Sequence, residues 1–241
     1  ILESNLGSSG LTERIVNTMR ERKVPMMTIN MEAPDIPHLH LNVAPACEEL
    51  LEHLINDHGC TRINLVLNEG NEVVTWETLA VYRSVMEKYN IPINENRIVE
   101  LKVSYHNGEK LCQMFEDAGV MDARAVLCVH DVNAISLILG LKNRGIRVPE
   151  DVIVCSMNHS GNSIAFRPGI TGVDRLDRYA ASLACELLEQ QMDGKSIPIK
   201  NTYEGVVRYH GSCGCNLLDL DKAGSSPEYY ANVYRQIVLN K

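Results

Sequence analysis

The sequence predicts an α/β fold of two doubly wound parallel-sheet lobes. Short apolar runs alternate with stripes of apolar residues at helical spacing, and several runs end in polar residues. The clearest unit spans residues 125–160, where one apolar run ends in His130 and Asp131, a helical stripe follows, and a second run ends in Asn158. Two buried strands joined by one helix form a parallel, right-handed unit. Ligands bind outside the carboxyl ends of strands in such sheets, so we expect a site there.

Strands and helices are predicted in alternation along the chain. Apolar runs predict strands at residues 1–3, 24–29, 38–42, 63–67, 97–103, 125–129, 152–155 and 202–209. Apolar stripes predict helices within residues 11–19, 47–55, 79–89, 111–118, 132–141, 176–188 and 228–239. Gly59, Gly145 and Gly194 follow three of these stripes and are expected to end the helices there.

The composition excludes several classes of function. The chain has 241 residues and a formal net charge of −8, and it carries no dense cluster of Lys and Arg. A nucleic-acid-binding surface is therefore not expected within these residues. No apolar run approaches the ~18 residues that span a membrane, and no phosphate- or dinucleotide-binding glycine motif is present, so neither a membrane contact nor a cofactor is predicted. Eight cysteines scattered through apolar segments favour a reducing cytoplasm over a disulfide framework.

Several segments, taken in order, resemble one protein family. Residues 126–131 (VLCVHD), 148–152 (VPEDV) and 157–159 (MNH) resemble the effector-binding domain of LacI/GalR-type bacterial regulators, which share the fold of type I periplasmic binding proteins. Residues 168–173 (PGITGV) and 207–212 (VRYHGS) are similar to the segments that return the family's chain to its first lobe and close it. The resemblance implies a cytoplasmic, homodimeric ligand sensor without catalytic activity. It also implies a small polar ligand, such as a sugar, in the cleft between lobes, and DNA contact only through a domain outside this chain.

The same resemblance divides the chain into parts. Residues 1–44 and 174–208 are expected to form the first lobe, which lacks the first two strand–helix units of the family, and residues 45–173 the second. Residues 209–215 are expected to close the domain, and residues 216–241 to form a linker and a short helix leading out of it. A chain that continues past the closing segment also resembles sensor domains that precede another output, as in diguanylate cyclases.

Two other classes of function stay open on the sequence. One is an extracytoplasmic sugar-binding transport protein, although unpatterned cysteines count against it. The other is a hydrolase or isomerase on the same fold, for which Ser156, His159 and Asp131 are a conceivable trio. The sequence does not establish the nucleophile–base geometry that such chemistry needs, so no catalytic residue is predicted.

Polar residues at the predicted strand ends are the candidate ligand-binding residues. Asp131 lies near a helix N-terminus, and its carboxylate can accept hydrogen bonds from ligand hydroxyls or serve only as a helix cap. His130 stands where the family has Asn, and its imidazole can still donate and accept hydrogen bonds. Asn158 stands where the family has Asp and keeps an acceptor. Tyr105 follows another predicted strand and is a further candidate.

The other wall of the expected cleft is predicted in the loop and helix after residue 67. Asn68 and Glu69 follow the strand, and Thr75 fits a Ser or Thr of the family pattern. Thr78 stands where the family commonly has a ligand-gripping Arg, a departure that removes a five-donor group suited to sugars. Trp76 is either a stacking surface for a sugar or base, or a core residue.

A metal site is considered at one place only. Cys213 and Cys215 follow the closing strand, and His210 precedes them. Their spacing is not that of a standard zinc knuckle, so the sequence assigns no metal site.

Overall fold

The computed structural model describes residues 1–3, 9–33, 35–70 and 73–215. The linker and helix predicted over residues 216–241 lie outside these described residues. The chain folds as two compact units, one formed by Ile1–Ala46 with Arg175–Val206, the other by Cys47–Asp174 with the segment that begins at Val207. The predicted α/β class with parallel sheets is confirmed.

Strands and helices alternate through both units. In chain order the strands are β1 Leu2–Glu3, β2 Thr28–Ile29, β3 His38–Asn42, β4 Ile63–Asn68, β5 Ile98–Leu101, β6 Ala125–Cys128, β7 Ile153–Ser156, β8 Thr171–Asp174, β9 Lys200–Glu204 and β10 Val206–Arg208. The helices are α1 Ser9–Glu21, α2 Ala44–Asn56, α3 Val73–Lys88, α4 Gly108–Asp117, α5 Asp131–Asn143, α6 Gly161–Ala165 and α7 Asp177–Met192. Among the described helices, none is both long and apolar enough to cross a lipid bilayer.

The first unit contains a four-stranded sheet in the order β1-β2-β3-β9, and each neighbouring pair is parallel. Val16 of α1 packs with Met26 and Ile36 in a small apolar cluster. Ala180 and Ala184 form the buried side of α7.

The second unit contains a six-stranded sheet in the order β10-β8-β7-β6-β4-β5. The pairs from β8 to β5 are parallel. Every residue of β4, β6 and β7 is buried, which is typical of a parallel sheet covered on both faces. This unit carries the larger apolar core, and the carboxyl ends of its strands carry most of the candidate residues.

Four elements differ from the sequence prediction, and the first is strand β8, which is not among the strands predicted from the apolar pattern. The strand predicted over residues 202–209 is two strands, because β9 pairs with β3 in one sheet and β10 lies beside β8 in the other. Residues 24–27 are not a strand, since Pro25 has no N–H to donate and the N–H of Val24 donates to Met19 O at the end of α1. Helix α6 has five residues, too few to show a helical stripe.

A glycine pair sets how closely α4 and α5 approach each other. A Cβ atom on Gly140 would lie 2.5 Å from Gly108 O, and one on Gly108 would lie 2.1 Å from Ser136 O. Real side chains do not tolerate such distances, so both positions need glycine. The close contact fixes the start of α4 against the middle of α5.

Candidate functional site

The carboxyl ends of β4, β6 and β7 lie side by side at one edge of the six-stranded sheet, here called the carboxyl edge. Cys128 of β6 pairs with both Val66 of β4 and Ser156 of β7, so the three strands end at similar heights. The predicted polar residues at these strand ends are Asn68, Glu69, His130, Asp131 and Asn158. Parallel sheets bind their ligands at such an edge.

Asp131 is the centre of a hydrogen-bond network at the carboxyl edge. It lies in the first turn of α5 and is only 2% exposed. The hydroxyls of Ser160 and Ser163 donate to its Oδ2 at 2.5 and 3.0 Å, and Asn158 Nδ2 donates to its Oδ1 at 3.4 Å. His130 Nδ1 lies 3.8 Å from the same Oδ1, which is beyond hydrogen-bond distance. Asp131 therefore holds the segment after β7 against the start of α5.

The surroundings of Asp131 favour its ionised form. Burial by itself raises the pKa of this carboxyl, but the neighbouring His130 and the hydroxyls of Ser160 and Ser163 outweigh burial and lower the pKa below its ordinary value. The positive end of the α5 dipole acts in the same direction. Both carboxylate oxygens of Asp131 accept hydrogen bonds from residues of the same unit. The most direct effect of Asp131 is therefore to hold Asn158, Ser160 and Ser163 in place.

A second buried residue, Asn133, ties another loop to the same edge. Its Oδ1 accepts the backbone N–H of Ser104 at 3.2 Å and Nδ2 of Asn107 at 3.0 Å. Tyr105, in the same loop, is 51% exposed, and its hydroxyl accepts Asn162 Nδ2 at 3.0 Å. The loop after β5 and helix α6 after β7 are thus joined at the carboxyl edge.

Buried polar atoms near this edge have no hydrogen-bond partner among the described residues. They include Oγ1 of Thr75, Oγ1 of Thr78, Nδ1 of His130 and Nδ2 of Asn133. The two threonines lie in the first turns of α3, directly after β4, and are fully buried. Burying a polar group without a partner costs free energy, so such groups in a native fold call for water, an ion or a ligand.

Trp76 and Glu69 lie on the solvent side of the same segment. Trp76 is 50% exposed, so the alternative that it belongs to the core is wrong. Glu69 is exposed, and its backbone N–H donates to Leu101 O at 3.1 Å, which anchors the end of β4 to β5. An exposed indole ring at the carboxyl edge suits stacking on a flat or sugar-like ligand face.

The structure brings together one part of the predicted site. Asp131, His130 and Asn158 form one group, and Tyr105 is one step away through Asn162. The other predicted residues follow the neighbouring strand β4, and their role as ligand contacts stays a prediction; they are Asn68, Glu69, Thr75, Trp76 and Thr78.

Three residues of the network were not predicted from the sequence. Ser160 and Ser163 bind Asp131, and Asn133 anchors the loop of Tyr105. The sequence does hold a signal for the serines, because Ser160 follows the polar end of β7 directly and caps α6 by accepting Asn162 N–H at 3.1 Å. Short polar residues are common at the start of a helix, so this signal is weak. Whether Ser160 and Ser163 face Asp131 depends on the register between β6 and β7.

His210 contacts Cys213 through its backbone oxygen, which lies 3.3 Å from Sγ, and its imidazole is not part of the group of metal-ligand atoms around the two cysteines. Its ring stacks on that of His159, with the two Nε2 atoms 2.8 Å apart. Two histidines from another part of the chain, His53 and His58, lie beside Cys215 instead. This second cluster contains none of the predicted ligand-binding residues.

Comparison with known proteins identifies one family. Residues 51–213 match the family described as a periplasmic binding protein-like domain. The matched range contains the six-stranded sheet up to β10 and every predicted ligand-binding residue.

Curated relatives and solved structures agree with this match. Catabolite control protein A of Staphylococcus epidermidis is 22% identical over 193 residues, which is 79% of this chain and 57% of that protein. The HTH-type transcriptional repressor PurR of Aliivibrio salmonicida is 25% identical over 195 residues, which is 78% of this chain and 56% of that protein. The chain thus spans a little over half the length of these relatives. A structure of the transcriptional regulator CelR with cellobiose superposes with a TM-score of 0.73 at 20% identity, covering 88% of this chain and 64% of that one.

Proposed function

This chain belongs to the periplasmic binding protein-like domain family, and we propose that it is the ligand-sensing domain of a bacterial LacI/GalR-type transcription regulator. A small polar molecule, such as a sugar, binds at the carboxyl edge of the six-stranded sheet. Its binding biases the state of a DNA-binding domain outside this chain. The observation that carries the proposal is the convergence of Asp131 and Asn158 on one hydrogen-bond network at that edge.

The chemistry of the carboxyl edge supports a polar ligand. The unpartnered hydroxyls of Thr75 and Thr78 and the amide of Asn133 are donors and acceptors suited to ligand hydroxyls. Trp76 supplies an exposed aromatic face. Among the structures compared, the regulator CelR holds cellobiose, which supports a sugar as the first ligand class to test.

A sensor is favoured over an enzyme. The curated relatives are named as a control protein and a transcriptional repressor. The conceivable catalytic trio does not assemble, because the Ser156 hydroxyl oxygen accepts the Asn158 N–H at 3.0 Å while His159 Nε2 faces His210 at 2.8 Å. Nucleophilic catalysis needs the base beside the nucleophile.

The cysteines support a place in the cytoplasm. All eight lie within the described residues and are free thiols. Six of them are buried, where a thiol behaves as a small apolar side chain. A protein exported to an oxidising compartment more often pairs its cysteines. Homodimer formation, and the alternative output through a diguanylate cyclase-type domain, stay predictions.

The proposal is tested by thermal-shift screening followed by calorimetry. The panel contains mono- and disaccharides, nucleosides and amino-acid derivatives. A ligand present at about 100 times its Kd adds about 2.7 kcal/mol to the free energy of unfolding and raises the midpoint accordingly. Recovery of the unchanged compound after incubation then excludes turnover.

Variants at the carboxyl edge connect the binding to the site. Asn158→Ala and Thr78→Val are expected to weaken binding of the compound found by about tenfold or more, because each removes a polar partner that the ligand uses. Thr202→Val, on an exposed position of β9 in the other unit, is the matched control and should leave Kd unchanged. Unchanged affinity in both edge variants would show that the ligand binds elsewhere.

A further inference from the structure

Four side chains able to bind a metal ion lie together beside the end of α2. They are His53, His58, Cys213 and Cys215, and one ligand atom from each lies within 4.8 Å of every other. His53 belongs to the last turn of α2, His58 to the loop that follows, and both cysteines to the segment after β10. All four belong to the second unit.

The distances between the ligand atoms fit a tetrahedral zinc site. Zinc binds thiolate sulfur at about 2.3 Å and imidazole nitrogen at about 2.0–2.1 Å, so tetrahedral geometry separates two nitrogens by about 3.3 Å and nitrogen from sulfur by about 3.5 Å. Here the Nε2 atoms of His53 and His58 are 3.0 Å apart. Cys215 Sγ lies 3.4 Å from the first and 3.5 Å from the second. Small adjustments would accommodate the ion.

His53 is oriented as metal-binding histidines are. Its Nδ1 lies 2.6 Å from Asp57 Oδ2, one helical turn further along the chain. A carboxylate on Nδ1 holds the proton there, so that Nε2 presents its lone pair to the cluster. The side chain of Asp57 is 65% exposed, so Asp57 is not a core residue and its contact with His53 is not a result of core packing.

The cysteine segment is held in place by the sheet beside it. The hydroxyl of Ser212 donates to Val154 O at 2.5 Å and accepts the N–H of Thr171 at 2.9 Å. Cys213 Sγ lies 3.1 Å from Thr171 Oγ1, and Cys213 as a whole residue is 2% exposed. Gly214 has φ +83, a conformation that favours glycine, and it lets the chain turn so that Cys215 faces the histidines.

We propose that His53, His58, Cys213 and Cys215 form a structural zinc site that joins the end of α2 to the segment after β10. Two neutral imidazoles and two thiolates complete the four-coordinate shell and balance the charge of Zn²⁺, with two thiol protons released to solvent. Four protein ligands leave no open position for water or substrate, which distinguishes a structural site from a catalytic one. Sulfur and imidazole ligands in this geometry select zinc over magnesium or calcium.

A divalent ion bound by these residues would hold both thiols as thiolates, because metal binding to cysteine is coupled to release of the thiol proton.

The test uses the whole 241-residue chain, purified in reductant. Zinc is supplied as Zn²⁺ alone, excess is removed, and bound metal is measured by mass spectrometry of the digested protein. The expected stoichiometry is one zinc per chain. Replacement by Co²⁺ should give a thiolate-to-cobalt charge-transfer absorption and the intense visible bands of tetrahedral cobalt.

Variants assign the metal to the four residues. The double variant Cys213→Ser with Cys215→Ser should lose zinc and the charge-transfer band. Asp57→Ala should keep the fold and lower zinc affinity by about 10- to 100-fold in a competition with a chromophoric chelator. Matched controls are Cys185→Ser and His106→Ala, which change an exposed thiol and an exposed imidazole outside the cluster and should bind zinc as the parent chain does.

Three results would overturn the proposal. The first is a reduced parent chain that binds less than stoichiometric zinc in the competition. The second is a cobalt spectrum without thiolate charge transfer. The third is full zinc retention by the double cysteine variant. If that variant fails to fold, the cobalt spectrum of the parent chain and the affinity of Asp57→Ala still decide the question.

Discussion

Asp131 shows how a single buried carboxylate organises the candidate site. Ser160, Ser163 and Asn158 all donate to it, and none of these contacts reaches beyond the segment after β7. The residue that the sequence marks as the main ligand contact therefore also has a structural role. Hydrogen bonds to a charged group contribute about 1.5–3 kcal/mol each in favourable cases, so the structural role is measurable.

Asp131→Ala is expected to lower the free energy of unfolding by about 2–3 kcal/mol near neutral pH. The pKa of Asp131 is lower in the folded than in the unfolded state. The carboxylate therefore stabilises the fold fully above the unfolded-state pKa of about 3.9, and this stabilisation is lost as pH falls through the folded-state pKa. The difference between parent and variant should therefore shrink below about pH 4. Urea denaturation across that range measures it. Asp117→Ala, at an exposed site, is the control; an equal loss there would contradict the prediction.

His159 gives a second test, in a different pH range. Burial and the neighbouring His210 lower its pKa to about 4. The folded protein therefore favours the neutral ring of His159. The free energy of unfolding is highest above the unfolded-state pKa of about 6.5, and it decreases as pH falls from there toward about 4, because the unfolded chain binds the proton first. Between about pH 7.5 and about pH 5.5 the free energy of unfolding should fall by about 1 kcal/mol more in the parent than in His159→Gln. Parallel pH dependence in the two proteins would show that His159 is not the titrating group.

At the scale of elements, two helices approach each other through glycine. Helices α4 and α5 meet at Gly108 and Gly140, where any Cβ would collide with backbone oxygen. Backbone atoms cannot move aside as a side chain can, so the helices would have to separate. The loop of Tyr105 leads directly into Gly108, so this helix packing is linked to the carboxyl edge.

Gly140→Ala is expected to lower the free energy of unfolding by about 1–3 kcal/mol, as overpacking usually does. Gly10→Ala in α1 is the matched control, because a Cβ there meets nothing within 4 Å. In an open helical site, alanine should be neutral or stabilise the fold by up to about 1 kcal/mol. Chemical denaturation of both variants measures the contrast, and a stabilising Gly140→Ala would contradict the packing argument.

At the scale of the whole molecule, the proposed zinc site connects distant parts of the chain. His53 and Cys215 are 162 residues apart in sequence. A ligand that binds only the folded state stabilises it by mass action, about 4 kcal/mol when its concentration is about 1,000 times Kd. The same site also restricts the segment after β10.

Removing zinc should therefore lower the denaturation midpoint of the parent chain. Excess chelator in reductant is expected to lower the free energy of unfolding by about 2–4 kcal/mol, and added Zn²⁺ should restore it. The double variant Cys213→Ser with Cys215→Ser is the control and should not respond to chelator. A parent chain that is insensitive to chelator would contradict a structural role for the metal.

Much of the fold follows from local sequence pattern. The apolar runs of β4, β6 and β7 and the stripe of α5 predict the parallel unit, and the polar residues after each strand mark its carboxyl end. The split between β9 and β10 does not follow, because the single strand predicted over residues 202–209 serves two different sheets. Helix α6 is too short to leave a periodic signal.

Local sequence pattern is enough to predict the α/β class, the strand ends that carry Asp131 and Asn158, and the resemblance to a ligand-binding family. These depend on periodicity and short motifs, which act over a few residues. Three features are visible only in the folded chain. Ser160 and Ser163 donate to Asp131, Trp76 is exposed, and His53 and His58 lie beside Cys213 and Cys215. Those contacts depend on strand register and join chain segments that are far apart in sequence. Local propensity acts over a few residues and so does not specify which distant side chains meet.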